Sequence, residues 1–234
     1  MNLKINRALV SQRNWDSGSI TPLSSIFHNV REKGEYQILI LEGPKATQVA
    51  VLDLLIDNKV AEAQLELDLF ALSRKSLSGE TANQSFSIHP KSNLLFFCSR
   101  GNSSYAVIIN EIEKDCLSKV FDSRALTAGD AFLISPLVSG KYVLSAGGKH
   151  KVNISVNKRV ANEIPNTAVE IACTDRGFTP KKVVAQYMQP IVVTIKGKKP
   201  CRLTFSAADT GKVPIKYPRK RATERKKPRP KGKG

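Results

Sequence analysis

Ala61-Glu62-Ala63-Gln64-Leu65-Glu66-Leu67-Asp68-Leu69 decides how this chain is read. Apolar side chains stand at the odd positions and polar ones at the even positions. A helix would scatter these polar groups around its surface, whereas a strand, with its period of two, gathers them on one wet face. The surrounding residues 46–72 are rich in Ala, Leu and Glu, which favour helix by propensity, and composition leaves helix open as the alternative. The alternation argues for strand. With Asp57-Asn58 as a turn after residues 49–56, the stretch reads as a β-hairpin.

Working outward, the same kind of segment recurs. Residues 36–41 form a first strand ahead of the Glu42-Gly43-Pro44 turn, and residues 73–84 form a loop. Residues 85–88, 93–98 and 105–112 are short β-branched or aromatic runs punctuated by Pro, Gly, Ser or Asn, with a brief helical turn placed around residues 111–120. Residues 131–134, 140–145 and 150–156 follow, the last two joined through Ala146-Gly147-Gly148-Lys149; residues 168–173, 182–186, 190–196 and 202–206 close the series. Many short strands at this spacing predict a mainly β protein built as sandwiches or barrels.

The organisation read from these segments has five parts: an extended N-terminal arm over 1–33, a β-sandwich domain over 34–157, a linker over 158–166, a second β unit over 167–211 and a basic tail over 212–234. The arm holds the chain's one tryptophan, Trp15, before Asp16-Ser17-Gly18. Its ring reads first as a plug in a groove of its own domain and second as a possible docking residue for a partner. The second unit offers about four strands, too little to bury a core alone, so it needs the first domain or a partner strand. Residues 190–196 or 202–206 are its expected open edges for strand addition.

The tail carries eleven basic residues, Lys212, Lys216, Arg219, Lys220, Arg221, Arg225, Lys226, Lys227, Arg229, Lys231 and Lys233, against the single Glu224. Most of the formal net charge of +17 therefore lies there. With little to bury and much like-charge repulsion, such a segment is expected to be disordered until it meets an acidic protein surface or a nucleic acid. Further basic residues stud the strands: Lys141, Lys149, Lys151, Lys158 and Arg159, then Lys181, Lys182, Lys196, Lys198, Lys199 and Arg202. If they share a face with the tail they form one positive surface. An aromatic content of 6%, without an obvious recognition helix, limits nucleic-acid binding to sequence-independent contact.

Thr167-Ala168-Val169-Glu170-Ile171, then Gly177-Phe178-Thr179-Pro180-Lys181-Lys182-Val183-Val184, then Gln189-Pro190-Ile191-Val192-Val193-Thr194-Ile195 resembles the first half of cupredoxin-like domains. Those domains show a strand, a Gly-Phe-x-Pro step, a second strand and a Pro-initiated third strand. Leu126-Thr127-Ala128-Gly129-Asp130 followed by Gly140-Lys141-Tyr142-Val143-Leu144 is similar to the closing strands of that fold or of an immunoglobulin-like sandwich. A blue-copper site needs two imidazoles and a thiolate around one ion. Where the resemblance would put the first ligand histidine, this chain has Cys201-Arg202-Leu203-Thr204-Phe205, and the region of the later ligand cluster is basic tail. The resemblance implies a fold that has lost its metal.

Other chemistry is sparse. His28, His89 and His150 are not paired at ligand spacing, and Cys98, Cys116, Cys173 and Cys201 lack any C-x-x-C and read as core thiols. No metal or cofactor is expected. Glu111 with Glu113 and Glu66 with Asp68 read as solvated strand faces, and Gly147-Gly148-Lys149-His150 precedes a strand, where a phosphate-binding loop needs a helix. No apolar run reaches the roughly 18 residues of a membrane helix. No signal peptide is seen, so the expected location is the cytoplasm or the compartment of synthesis. The sequence therefore predicts a non-catalytic accessory or assembly subunit, docking to a larger complex with an acidic surface through arm, sheet edges and tail. Its alternatives are a sequence-independent polyanion binder and a degenerate copper protein.

Overall fold

The structure, a computed structural model, describes residues 10–77, 84–114, 116–158 and 167–208. The protein is mainly β, with seventeen strands among the described residues arranged in three sheets. A shared sheet of seven runs β14 (Gly177–Thr179), β13 (Val169–Thr174), β16 (Ile191–Ile195), β10 (Ala131–Ile134), β2 (Ser24–His28), β7 (Asn93–Phe97) and β5 (Gln64–Asp68). A C-terminal sheet of five runs β1 (Asn14–Asp16), β17 (Leu203–Ala207), β11 (Gly140–Ala146), β12 (His150–Asn157) and β15 (Lys182–Gln186). An N-terminal sheet of five runs β6 (Gln84–Ile88), β4 (Thr47–Ile56), β3 (Gly34–Glu42), β8 (Tyr105–Glu113) and β9 (Cys116–Asp122).

The period of two in the sequence becomes one buried face per sheet. Across six strands of the shared sheet, Ile171, Val193, Phe132, Ile26, Phe96 and Leu67 stand opposite one another in register, none more than 2% exposed. Each is worth about 1.5–3 kcal/mol relative to leaving it in water. In the N-terminal sheet the matching row is Leu52, Ile38 and Ile109. In the C-terminal sheet it is Trp15, Phe205, Leu144 and Val152. Phe121 of β9 packs on His28 of β2 and Phe96 of β7, joining the N-terminal sheet to the shared one. Buried residues of all three sheets form one contiguous core.

Several expectations change. Residues 47–56 and 64–68 are strands, but not a hairpin. Both sides of β4 are occupied, by β3 antiparallel and β6 parallel, so β5 leaves for the edge of the shared sheet and pairs with β7. The chain then turns into the helix α1 (Leu69–Leu77), where Asp68 accepts a hydrogen bond from the Phe70 N–H at the helix start, at 3.1 Å. The helical turn expected at 111–120 is instead the β8–β9 hairpin. The arm is not a separate extended segment over its described part: β2 lies inside the shared sheet, and β1 adds to β17.

The strands of 131–157 share sheets with those of 167–207, since β11 pairs with β17, β12 with β15 and β10 with β16. The boundary read at 158–166 therefore separates strands that hydrogen-bond to one another, and residues 159–166 lie outside the described residues. The two expected open edges are interior strands: β16 lies between β13 and β10, and β17 between β1 and β11. The Ala146–Lys149 turn does join β11 to β12, with Gly147 and Gly148 at φ 54° and 75°, the left-handed pair that a tight hairpin turn requires.

Candidate functional sites

A cavity of about 600 Å³ opens where the N-terminal and shared sheets meet, and His28, Tyr36, Glu111, Thr127 and Asp130 are among its lining residues. His28 Nδ1 lies 2.7 Å from Asp130 Oδ1. The other carboxylate oxygen of Asp130 accepts bonds from the Thr127 N–H at 2.6 Å and the Thr127 hydroxyl at 3.2 Å. This buried carboxylate fixes the imidazole against the Phe121 ring, with centroids 4.1 Å apart. Tyr36 donates to the Glu32 carbonyl at 3.0 Å and to Glu111 at 3.4 Å. Burial, followed by the charge and hydrogen bond of Glu111, pushes its phenol up to about 12.

A His–Asp pair is half of a nucleophile-activating relay, which also needs a hydroxyl or thiol on the second ring nitrogen. Among the described residues no such group hydrogen-bonds His28. The pair ties the start of β10 to the end of β2, a structural role. Sequence reading missed it because its members lie 102 positions apart. The trace it left was the Thr127-to-Asp130 spacing, which suits a side chain that caps its own turn.

A smaller cavity of about 260 Å³ lies at the end of the C-terminal and shared sheets, lined by Ala146, Lys149, His150, Cys173, Asp175, Ile195, Lys199 and Cys201, among others. The Cys173 thiol, on β13, is buried; Cys201, just before β17, is half-buried. Both thiols line this cavity, and each is the first influence on the other's titration. Cys201 and then burial push Cys173 well above the usual thiol range, while the influence of Cys173 outweighs burial and lowers Cys201. Asp175 caps the adjoining loop by accepting from the Lys198 and Lys199 N–H groups. A Cβ on Gly197 would stand 2.8 Å from Asp175 Oδ1 and 3.0 Å from its backbone nitrogen, so this close approach requires glycine. No cluster of three His, Cys, Asp or Glu side chains suited to a metal occurs among the described residues.

The basic residues of the strands divide. On the outward face of the C-terminal sheet, Lys141 stands opposite Ser155, Lys151 opposite Ser145, and Lys182 opposite Asn153. The one acid at the outward strand positions of that face, Asp16, is taken up by Arg202 through two bonds of 2.7 and 2.8 Å. Lys149 and Lys199 instead line the thiol cavity.

Trp15 is 2% exposed, with Phe205 and Tyr142 at centroid distances of 5.6 and 6.3 Å. The plug reading fits this burial, and the docking role does not, because the ring offers a partner no surface. Lys212, Lys216, Arg219, Lys220, Arg221, Arg225, Lys226, Lys227, Arg229, Lys231 and Lys233 lie outside the described residues. No helix among the described residues is long and apolar enough to cross a membrane. No protein-family model, curated protein or solved structure matches the chain.

Proposed function

We propose that this chain is a non-catalytic accessory subunit that docks on the acidic surface of a protein complex. The lysines of its C-terminal sheet and its basic tail make the contact. The observation that carries the reading is the alignment of Lys141, Lys151 and Lys182 on one outward face whose strand-borne acid is neutralised by Arg202. The described chain ends beside this face: β17 ends at Ala207, and the Ala208 N–H donates to the Lys141 carbonyl at 2.8 Å. The eleven tail cations follow this point in the sequence. Such contacts steer association and weaken with salt.

For residues 167–206 we propose the cupredoxin-like or immunoglobulin-like fold, without metal, that the sequence resembles. Its support is the run of strands β13, β14, β15 and β16 on the Gly-Phe-x-Pro segment, together with the two sheets whose buried faces line the thiol cavity.

The test is co-purification of the full chain from its native source at low salt, with cross-linking and mass spectrometry. The subunit reading expects cross-links from Lys141, Lys151, Lys182 and the tail to acidic segments of one protein assembly. Recovery of nucleic acid alone, with a steep salt dependence, would replace it with the polyanion-binding alternative.

A further inference from the structure

We propose that Cys173 and Cys201 are a reversible dithiol–disulfide pair that exchanges with small aliphatic disulfides, Cys201 acting as the attacking sulfur and Cys173 as the resolving one. Cys173 on β13 of the shared sheet and Cys201, just ahead of β17 of the C-terminal sheet, both line one cavity. The remaining cysteines offer no such pair: Cys98 donates to the Arg100 carbonyl at 3.1 Å, and Cys116 is exposed on β9.

The cavity gives the two sulfurs unequal roles. Cys201 is the more open; Lys149, Lys199 and Asp175 line the same space, burial and the Asp130 charge oppose its thiolate, and the influence of Cys173 outweighs both. Cys173 lies deeper; its influence lowers Cys201, while Cys201 and then burial raise Cys173, which favours the thiolate on Cys201 and keeps the proton on Cys173. An open, acidic thiol beside a buried, protonated one is the asymmetry a dithiol needs to react at one sulfur first.

The exchange balances in two steps. The Cys201 thiolate attacks one sulfur of oxidised glutathione; its S–S bond breaks, one glutathione thiolate leaves with the electron pair, and a mixed disulfide forms on Cys201. Cys173 then releases its proton to solvent, and its thiolate attacks the Cys201 sulfur and expels the second glutathione thiolate. The chain loses two electrons and two protons, and one disulfide becomes two thiols. The product links β13 of the shared sheet to the segment entering β17 of the C-terminal sheet, closing the cavity end of the molecule.

To test this, the full chain is equilibrated with reduced and oxidised glutathione at a series of ratios, acid-quenched, alkylated and mapped by peptide mass. The expected result is a Cys173–Cys201 disulfide at least roughly tenfold more abundant than any other pairing, reversed by reduced glutathione. Cys173→Ser should accumulate glutathione on Cys201, whereas Cys201→Ser should leave Cys173 unmodified. Alkylation of Cys201 in the wild type should also persist to lower pH than alkylation of Cys201 in Cys173→Ala, which removes the neighbouring S–H donor. Preferential modification of Cys98 or Cys116, no 173–201 disulfide at any ratio, or equal reactivity of Cys173 and Cys201 in the two serine variants would overturn the proposal.

Discussion

The two five-stranded sheets use the same kind of inner face and turn opposite outer faces to solvent. Inside, both present alternating large apolar side chains. Outside, the C-terminal sheet shows Ser, Thr and Asn, with Val143 and Val184, around Lys141, Lys151 and Lys182. The N-terminal sheet shows Leu39, Val51, Leu55, Ile108 and Ile112 among Glu35 and Asp53. Burial makes the same demand on every inner face, whereas the outer faces answer to solvent and to whatever they touch. The contrast therefore locates stability on the inner rows and sets the lysine face apart as the surface the proposed function uses.

The largest effect expected is on the inner row of the C-terminal sheet. Trp15→Ala should cost about 3–5 kcal/mol, because the ring fills the space beside Phe205 and Tyr142. Leu52→Ala in the N-terminal sheet should cost about 2–5 kcal/mol. Urea unfolding checks both, and a Trp15→Ala loss under about 1 kcal/mol would show that β1 is not part of the C-terminal sheet's core. Next, His28→Ala leaves the Asp130 carboxylate buried with its Thr127 bonds alone, at a cost of about 2–4 kcal/mol. An unchanged melting temperature would break the claim that the cleft pair is a structural tie.

A smaller effect concerns acid. Burial raises the Asp122 carboxyl, but Arg124, through two side-chain bonds of 2.8 and 2.9 Å and its backbone N–H, and then Lys119 outweigh it and hold it below the usual range. A depressed folded-state value adds stability that is present above the ordinary carboxylate value and is lost as pH falls through the lowered one. Asp122→Asn should therefore be less stable than wild type at neutral pH and converge with it in acid; a constant difference between the two acid-unfolding curves would sink this account. The smallest effect on stability is expected on the outer face. Lys141→Glu, Lys151→Glu and Lys182→Glu should each shift stability by no more than about 0.5 kcal/mol. Combined, they should abolish low-salt binding to the acidic partner, as should removal of 212–234; retained binding would separate the lysine face from function.

Much of the strand pattern was legible because alternation is a local property. Residues 36–41, 140–145 and 150–156 were read as strands and are strands, and the glycine pair between the last two fixes their hairpin. The failures lie where partner choice is non-local. Residues 24–28 lack a sustained pattern in the sequence, yet they form β2, buried within the shared sheet between β10 and β7. Residues 64–68 alternate as read, but their partner is β7 and not β4, because β6 occupies the edge of β4.

The sequence by itself determined that the chain is mainly β, which face of the alternating stretch 64–68 is wet, and that positive charge gathers at residues 212–234. Each follows from properties of neighbouring residues: the two-residue period, turn chemistry and local composition. Only the tertiary structure decided that Trp15 lies on Phe205, that His28 meets Asp130, that Cys173 and Cys201 line one cavity, and that three distant lysines share a face. A strand's period assigns each side chain to one of two faces without naming the strand beside it, and that choice is made by which sheet edges remain free when the core closes.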